Sequence, residues 1–144
     1  MIVFTVPGVP VAKGRARAFI RKGKVAHITP EKTVNYETLV KISAAEAMGG
    51  RDLIDGPVML AITLYLPIPK SWAKKKQALA IEDGIRPTGK PDASNVAKAI
   101  EDGMNGVVWL DDSQVTELSV RKRYGSIPKA MVVVKPAFAS EARA

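Results

Sequence analysis

The residues that could carry out chemistry are concentrated between positions 90 and 114, a stretch that reads KPDASNVAKAIEDGMNGVVWLDDSQ. A helix that begins at Asp92 and turns by about 100° per residue places four polar side chains along one side: Asp92, Asn95, Lys98 and Asp102. Apolar residues occupy the opposite side, so an amphipathic helix is predicted. Two interpretations of the polar side stay open: a solvated face with a Lys98–Asp102 pair at helical spacing, or part of a catalytic site.

An acidic pair, Asp111 and Asp112, follows the apolar run VVWL. Two adjacent carboxylates repel, and burying either costs free energy unless a cation or donor compensates. Magnesium suits such a place, because it takes oxygen ligands and keeps water and substrate phosphates in its remaining positions. It would polarise a scissile phosphate and lower the pKa of an attacking water, while Lys98 could neutralise developing charge. An ordinary acidic turn before a strand is the alternative.

The composition of the whole chain favours an anionic partner. The 144 residues carry a net charge of +8, which indicates nucleic acid or an anionic membrane, although a merely soluble basic protein is the alternative. The absence of cysteine excludes disulfides and thiolate zinc sites, and the single histidine, His27, excludes a multi-histidine metal site within one chain. No apolar run is long enough to span a bilayer and the N-terminus lacks a secretory signal, so a cytoplasmic location is expected.

The densest basic region lies near residues 13–27, where Lys22-Gly23 predicts a hairpin turn. Cationic side chains on such a hairpin can bridge DNA phosphates. Phe19 could stack on an unpaired base or anchor the hairpin to the core. A second basic run, residues 74–76, is either a phosphate contact or a solvated helix face. The predicted DNA-binding residues are Lys13, Arg15, Arg17, Arg21, Lys22 and Lys24.

The elements that must position these residues predict a single α+β domain over residues 1–144, with a fraying tail at 137–144. Strands are predicted at 2–6, 58–66, 116–124 and 130–135, and the unbroken apolar run at 58–66 indicates a strand covered on both faces. Thr29 is expected to cap a helix that stops at Gly49-Gly50, and Ser71 to cap a short basic helix. Trp72 and Trp109 are expected in the core.

The stretch 90–114 resembles the RusA family of Holliday junction resolvases, small dimeric magnesium-dependent endonucleases common in prophages. The family pattern is K-P-D-x-D-N-x-x-K, an aspartate four residues later, N-G, and D-D-x-Q. The run P-G-x-P-x-x-K-x-R-x-R at 7–17 is also similar to phage-type members. The matching residues of the central motif are Lys90, Pro91, Asp92, Asn95, Lys98, Asp102, Asn105, Gly106, Asp111, Asp112 and Gln114.

The resemblance implies a small mixed β-sheet packed with about three helices, and a homodimer that makes paired symmetric cuts in four-way DNA junctions during recombination and repair. It implies Mg²⁺ as the cofactor, with Mn²⁺ as a substitute. Asp92, Lys98 and Asp112 would be catalytic. Asp92, Asp111 and Asp112 would bind the metal, and the supporting residues would be Ser94, Asn95 and Asp102.

One departure from the family pattern concerns Ser94, which stands where the family has a second aspartate. A serine hydroxyl is a neutral ligand, and it could instead cap the helix. Two alternatives to the nuclease therefore stay open. One is a junction-binding protein that is catalytically weak or inactive. The other is an interaction protein whose basic face meets an acidic partner, which predicts weak DNA binding with little salt dependence.

Overall fold

A computed structural model of the chain describes residues 1–14 and 17–137, so all of the predicted tail except Ala137 lies outside the described residues. The elements are β1 (Ile2–Pro7), β2 (Arg17–Arg21), β3 (Lys24–Ile28), α1 (Glu31–Met48), β4 (Val58–Pro67), α2 (Lys74–Ile81), α3 (Ala93–Met104), a 3₁₀ turn (Asp112–Gln114), β5 (Val115–Gly125) and β6 (Lys129–Pro136). None of the helices in these ranges is long and apolar enough to cross a membrane.

Four strands form one mixed sheet in the order β1-β6-β4-β5. The strand β4 pairs in parallel with β5 and antiparallel with β6, and β6 pairs antiparallel with β1. Because parallel neighbours need a long connection, the chain between β4 and β5 has room for α2, α3 and the 3₁₀ turn. The predicted α+β class and mixed sheet with three helices are confirmed.

The core lies on one face of this sheet. Along β4, Val58, Leu60, Ile62 and Leu64 are buried, and the residues between them are half-buried. The buried side chains of β1 and β6 lie on the same face in register with them, and α1 and α3 cover that face. The prediction that β4 is covered on both faces was therefore wrong for the second face, where the side chains between the buried ones are only half-buried.

The hairpin of β2 and β3 forms as predicted, around Lys22 and Gly23. Both turn residues have positive φ, 52° and 76°, which is the geometry of a two-residue turn whose twist matches the strands. Within residues 1–14 and 17–137, the two strands pair only with each other and form a separate sheet.

Two helix starts differ from their predictions. The first helical residue of α1 is Glu31, and Pro30, not Thr29, occupies the N-cap position without a side-chain cap. The N-cap of α2 is Ala73, so Ser71 does not cap it. The N-caps lie one residue after Thr29 and two residues after Ser71, which is the ordinary margin for a helix boundary. The end of α1 is as predicted, because Gly49 adopts the left-handed conformation, with φ 57°, and its N–H donates to the Ala45 carbonyl.

The two tryptophans have different environments. Trp109 is fully buried, as predicted. Trp72 is only half-buried, and its ring meets that of Tyr124 edge-on at 5.3 Å while the Lys76 ammonium lies 4.0 Å from the Trp72 ring centre. The expectation that Trp72 fills the core was wrong, because Trp72 precedes α2, packs against Tyr124 of the edge strand β5, and is not among the core residues.

Candidate active site

The helix α3 presents its polar side to solvent and its apolar side to α1 and the sheet. Val96, Ile100 and Met104 are completely buried. Gly103 permits a close approach to α1, since a Cβ at this position would lie 2.8 Å from the Val40 side chain and 2.9 Å from the Glu37 carbonyl oxygen. The amphipathic pattern therefore sets the rotation of α3, and the missing side chain sets its distance from α1.

The polar side of α3 meets the 3₁₀ turn through Lys98. The Lys98 ammonium donates to Asp112 Oδ2 at 2.9 Å and lies 3.1 Å from Asp102 Oδ1. Its bonds to Asp112 and Asp102 outweigh its partial burial and raise the pKa of Lys98. Lys98 is therefore a permanent cation at neutral pH, suited to stabilising negative charge and not to accepting a proton.

Asp111 shapes the 3₁₀ turn that carries Asp112. Its carboxylate accepts a hydrogen bond from the Ser113 backbone at 3.0 Å, and hydrogen bonding from the Ser113 side chain and backbone lowers the pKa of Asp111. In return, Gln114 Oε1 accepts from the Asp111 backbone, and Gln114 Nε2 donates to the carbonyl oxygens of Ile54 and Gly56, each at 2.9 Å. The D-D-x-Q motif is thus a capping box tied to the segment before β4.

The loop before the acidic pair is anchored by Trp109. Its indole Nε1 donates to Asn105 Oδ1 at 2.6 Å, and the Gly106 backbone donates to the Trp109 carbonyl at 2.7 Å. Gly106 has φ 77°, a conformation that glycine adopts without strain. The N-G pair therefore turns the chain so that the buried tryptophan holds the acids beside α3.

Asp92 lies at the other end of the same polar side, at the N-cap of α3. Its carboxylate is 3.5 Å from the Lys90 ammonium and accepts from Asn95 Nδ2 at 3.2 Å. Asp92 does not share the contacts of Lys98, which lies about 9 Å further along the helix axis. Ser94 is exposed and makes no side-chain cap, so the capping role considered for it is wrong.

A divalent ion on this surface would find few carboxylates within reach of one another. Within residues 1–14 and 17–137, no three Asp, Glu, His or Cys side chains are grouped closely enough to hold an ion together. Asp112 and Asp92 instead lie toward opposite ends of one polar surface. This set fits Mg²⁺ held by one or two carboxylates, with water and phosphate oxygens completing its shell, and it does not fit a closed three-acid cage.

Two acids of the charged cluster that includes Lys13 and Lys98 were not predicted from the sequence. Glu37 of α1 lies 2.6 Å from the Lys13 ammonium, which also lies 3.0 Å from Asp102 Oδ2. Glu101 is half-buried, and burial together with the Asp112 charge raises its pKa. No local pattern marks Glu37, because its contact depends on how α1 packs against α3. Glu101 adjoins Asp102 in the sequence, and this adjacency is the one local signal that marks it.

The predicted DNA-binding residues fall into three groups. Lys22 and Lys24 are exposed on the hairpin. Lys13 points inward to the two acids. Arg15 and the side chains of Arg17, Arg21, Phe19 and His27 lie outside the described residues. In the second basic run, Lys74 and Lys75 are exposed, whereas Lys76 covers the Trp72 ring.

The fold and the site together define an α+β protein with a carboxylate–lysine surface next to a basic hairpin, which is an arrangement suited to phosphodiester chemistry. Residues 7–135 match the family model described as Endodeoxyribonuclease RusA. The chain belongs to this family, which acts on branched DNA. It is also 40% identical over 136 residues to the uncharacterized protein YqaN of Bacillus subtilis (strain 168), covering 93% of this chain and 95% of that protein.

Proposed function

We propose that the protein is a magnesium-dependent, structure-selective endodeoxyribonuclease that resolves four-way DNA junctions by paired symmetric cuts. The observation that carries this proposal is the position of the Lys98 ammonium, which lies between Asp102 and Asp112 on a solvent-facing surface. The Lys98 ammonium is held in place by two carboxylates, yet its side chain is 52% exposed. It can therefore contact a phosphate without a change of conformation. Family membership supports the nuclease class and its branched substrate.

The residues of the chain have distinct roles in the proposed reaction. A carboxylate ligand for Mg²⁺ would come from Asp112 or from Asp92, which lie toward opposite ends of the surface, with Asp111 keeping the turn around Asp112 in shape through its cap. When bound, the ion supplies Lewis-acid activation of the phosphate and of a water molecule. Lys98 places a positive charge where the phosphorus centre accumulates negative charge, and Asn95 orients the Asp92 carboxylate.

The hairpin is the proposed DNA-contacting element. Its strands pair only with each other, and a two-stranded ribbon of this kind is free to follow a partner surface. Lys22 and Lys24 offer cations to the backbone phosphates. Ile20 and Val25 face each other across the strands with 79% and 67% of their surfaces exposed, although apolar residues of this size are usually buried. Such exposure supports a surface that is covered when DNA binds.

A homodimer is part of the proposal. A four-way junction has approximate two-fold symmetry, and two matched cuts need two active sites related by the same symmetry. One site per protomer satisfies this requirement. Sedimentation velocity of the protein, free and with a junction, should show two protomers per junction.

The test compares a synthetic four-way junction with a linear duplex of the same arm sequence, with and without Mg²⁺ or Mn²⁺. We expect paired nicks in the junction alone and only with the metal. Lys98→Met and Asp112→Asn should each reduce single-turnover cleavage by about 100-fold or more while the junction is still bound. Cleavage by Asp112→Asn at the wild-type rate would contradict the assigned site.

The Ser94 departure is tested in the same assay. If the wild-type chain binds junctions tightly without cutting them, and Ser94→Asp cuts them, the inactive-binder alternative is correct and the nuclease proposal fails. If binding is weak and independent of salt, the partner is not DNA, because phosphate recognition releases counterions and weakens steeply as salt rises.

A further inference from the structure

A chain of five charged side chains with alternating sign crosses the space between α1, α3 and the 3₁₀ turn. Its contacts are 2.6 Å from Glu37 to Lys13, 3.0 Å from Lys13 to Asp102, 3.1 Å from Asp102 to Lys98 and 2.9 Å from Lys98 to Asp112. Only the last two contacts involve residues of the proposed reaction centre. The first two need a separate explanation.

Lys13 is the less exposed of the two lysines in this chain. Its side chain is 29% exposed, and its partners Glu37 and Asp102 are 19% and 20% exposed. The backbone is held on both sides, since Lys13 N–H donates to the Asn95 carbonyl at 2.9 Å and Gly14 N–H donates to Thr33 Oγ1 at 2.9 Å. Burial lowers the pKa of Lys13, but the two acids outweigh it and raise the pKa. An ammonium fixed in this way is not available to DNA phosphates.

Asp102 transmits the position of Lys13 to Lys98. One carboxylate oxygen, Oδ2, faces Lys13, and the other, Oδ1, faces Lys98. Because both oxygens are engaged, the orientation of the Asp102 carboxylate is set by the lysine on each side. Without Lys13, the carboxylates of Glu37 and Asp102 would share a poorly hydrated space with no cation between them, and their repulsion would turn Asp102 away.

We propose that Lys13 is a positioning residue that holds the Lys98 ammonium beside Asp112 through Asp102, and that it does not contact DNA. The meaning of this role for cleavage rests on the proposed nuclease function. The same contacts join the segment just before the basic hairpin to the reaction centre. The chain that leads into the DNA-contacting element is therefore fixed relative to Lys98, the lysine that contacts the phosphate.

The experiment separates binding from cleavage in Lys13→Met. Junction affinity is measured over a range of salt concentrations, and cleavage is measured in single turnover with all junction bound. We expect the rate to fall by about tenfold, with affinity and its salt dependence unchanged. Lys24→Met, on the exposed hairpin, should weaken binding and reduce the slope of log K against log salt by about 0.9.

The matched control is Lys135→Met, which removes the same charge from an exposed residue that alternates with buried Val134 on β6. Lys135→Met should change neither the single-turnover cleavage rate nor the affinity for the junction. If Lys13→Met instead weakens binding, lowers the salt slope by about 0.9 and leaves the bound-state rate unchanged, Lys13 is a phosphate contact and the inference is overturned.

A second readout needs neither DNA nor cleavage. The ammonium ¹H–¹⁵N NMR signal of Lys98 should be visible in the wild-type chain, because two carboxylates slow its exchange with water. It should disappear in Lys13→Met and persist in Lys135→Met. If the wild type cuts no junction but this pattern holds, the nuclease proposal fails while the positioning role stands. A persistent Lys98 signal in Lys13→Met overturns the positioning role.

A double variant keeps the test valid if Lys13→Met does not fold. Lys13→Met combined with Glu37→Met leaves no unpaired carboxylate at position 37, and replacing both partners by apolar groups avoids most of the cost of an unsatisfied charge. The same tenfold loss of rate and the same loss of the Lys98 signal are expected, because Asp102 again loses its anchor. An unchanged rate and signal in the folded double variant would refute the inference.

Discussion

The spacing between α1 and α3 gives the sharpest prediction about stability, and the substitution that tests it is Gly103→Ala. The added Cβ would lie 2.8 Å from two atoms of Val40 and 2.9 Å from the Glu37 carbonyl oxygen, well inside ordinary contact distance. Alanine in a helix interior gains about 0.5–1 kcal/mol over glycine. Overpacking costs about 1–3 kcal/mol, and the backbone oxygen cannot rotate away, which favours the upper part of that range. We expect a net loss of about 2 kcal/mol.

Urea denaturation followed by circular dichroism measures this loss as a lower midpoint with an unchanged slope. The matched control is Gly89→Ala, because nothing lies within 4 Å of a Cβ built at Gly89 and its φ is not in the left-handed region. This variant should differ from the wild type by less than about 0.5 kcal/mol. If Gly103→Ala were as stable as the wild type, the close approach of the two helices would be refuted.

Three further predictions concern single side chains. Tyr36→Phe should leave the free energy of unfolding unchanged or raise it by up to about 1 kcal/mol, because the buried hydroxyl has no hydrogen-bond partner among the described residues; a clear loss in urea denaturation would reveal a hidden partner. Trp109→Phe should cost about 2–3 kcal/mol by the same measurement, since it removes buried volume and the donor to Asn105; a loss under about 1 kcal/mol would contradict this. Burial raises the pKa of Asp102, but hydrogen bonds from Lys13 and Lys98 outweigh burial and lower the pKa. The ionised carboxylate therefore stabilises the fold above its unfolded pKa of about 4. This contribution is lost as the pH falls through the pKa of Asp102 in the folded protein. Asp102→Asn should therefore flatten the acid side of the melting-temperature profile, and an unchanged acid slope would refute the pairing.

The parts of the fold that depend on local spacing were predictable from the sequence. The polar side of α3 and the Lys98–Asp102 contact follow from helical periodicity, which fixes which residues share a face. The hairpin turn follows from Lys22-Gly23, because few residue pairs accept two positive φ angles. The proximity of Asp112 to Lys98 was a hypothesis from the chemistry of the acidic pair and from the resemblance to a family, since no local rule brings the 3₁₀ turn back to α3.

Contacts between distant segments were not predictable in the same way. Lys13 was expected on a DNA-facing surface because it belongs to a basic run, yet Glu37 and Asp102 hold it. A charge run has the same appearance in the sequence whether its members face solvent or an acid on another helix. The starts of α1 and α2 were also misplaced, by one and two residues. The preference of Thr29 and Ser71 for the N-cap position does not fix a helix boundary more closely than that.

The parallel pairing of β4 and β5 has a consequence for how the candidate site comes into existence. Asp92, Lys98, Asp102 and Asp112 all belong to the single connection between these two strands. Insertions or deletions within residues 68–89 would precede Asp92 and leave the spacing of the reacting groups unchanged. An insertion between Asp102 and Val115 would instead displace the Asp112 carboxylate from the Lys98 ammonium. A chain that stops before Val115 would lose both β5 and β6, and because β6 joins β1 to β4, the sheet that α3 packs against could not form and the constellation would not be assembled.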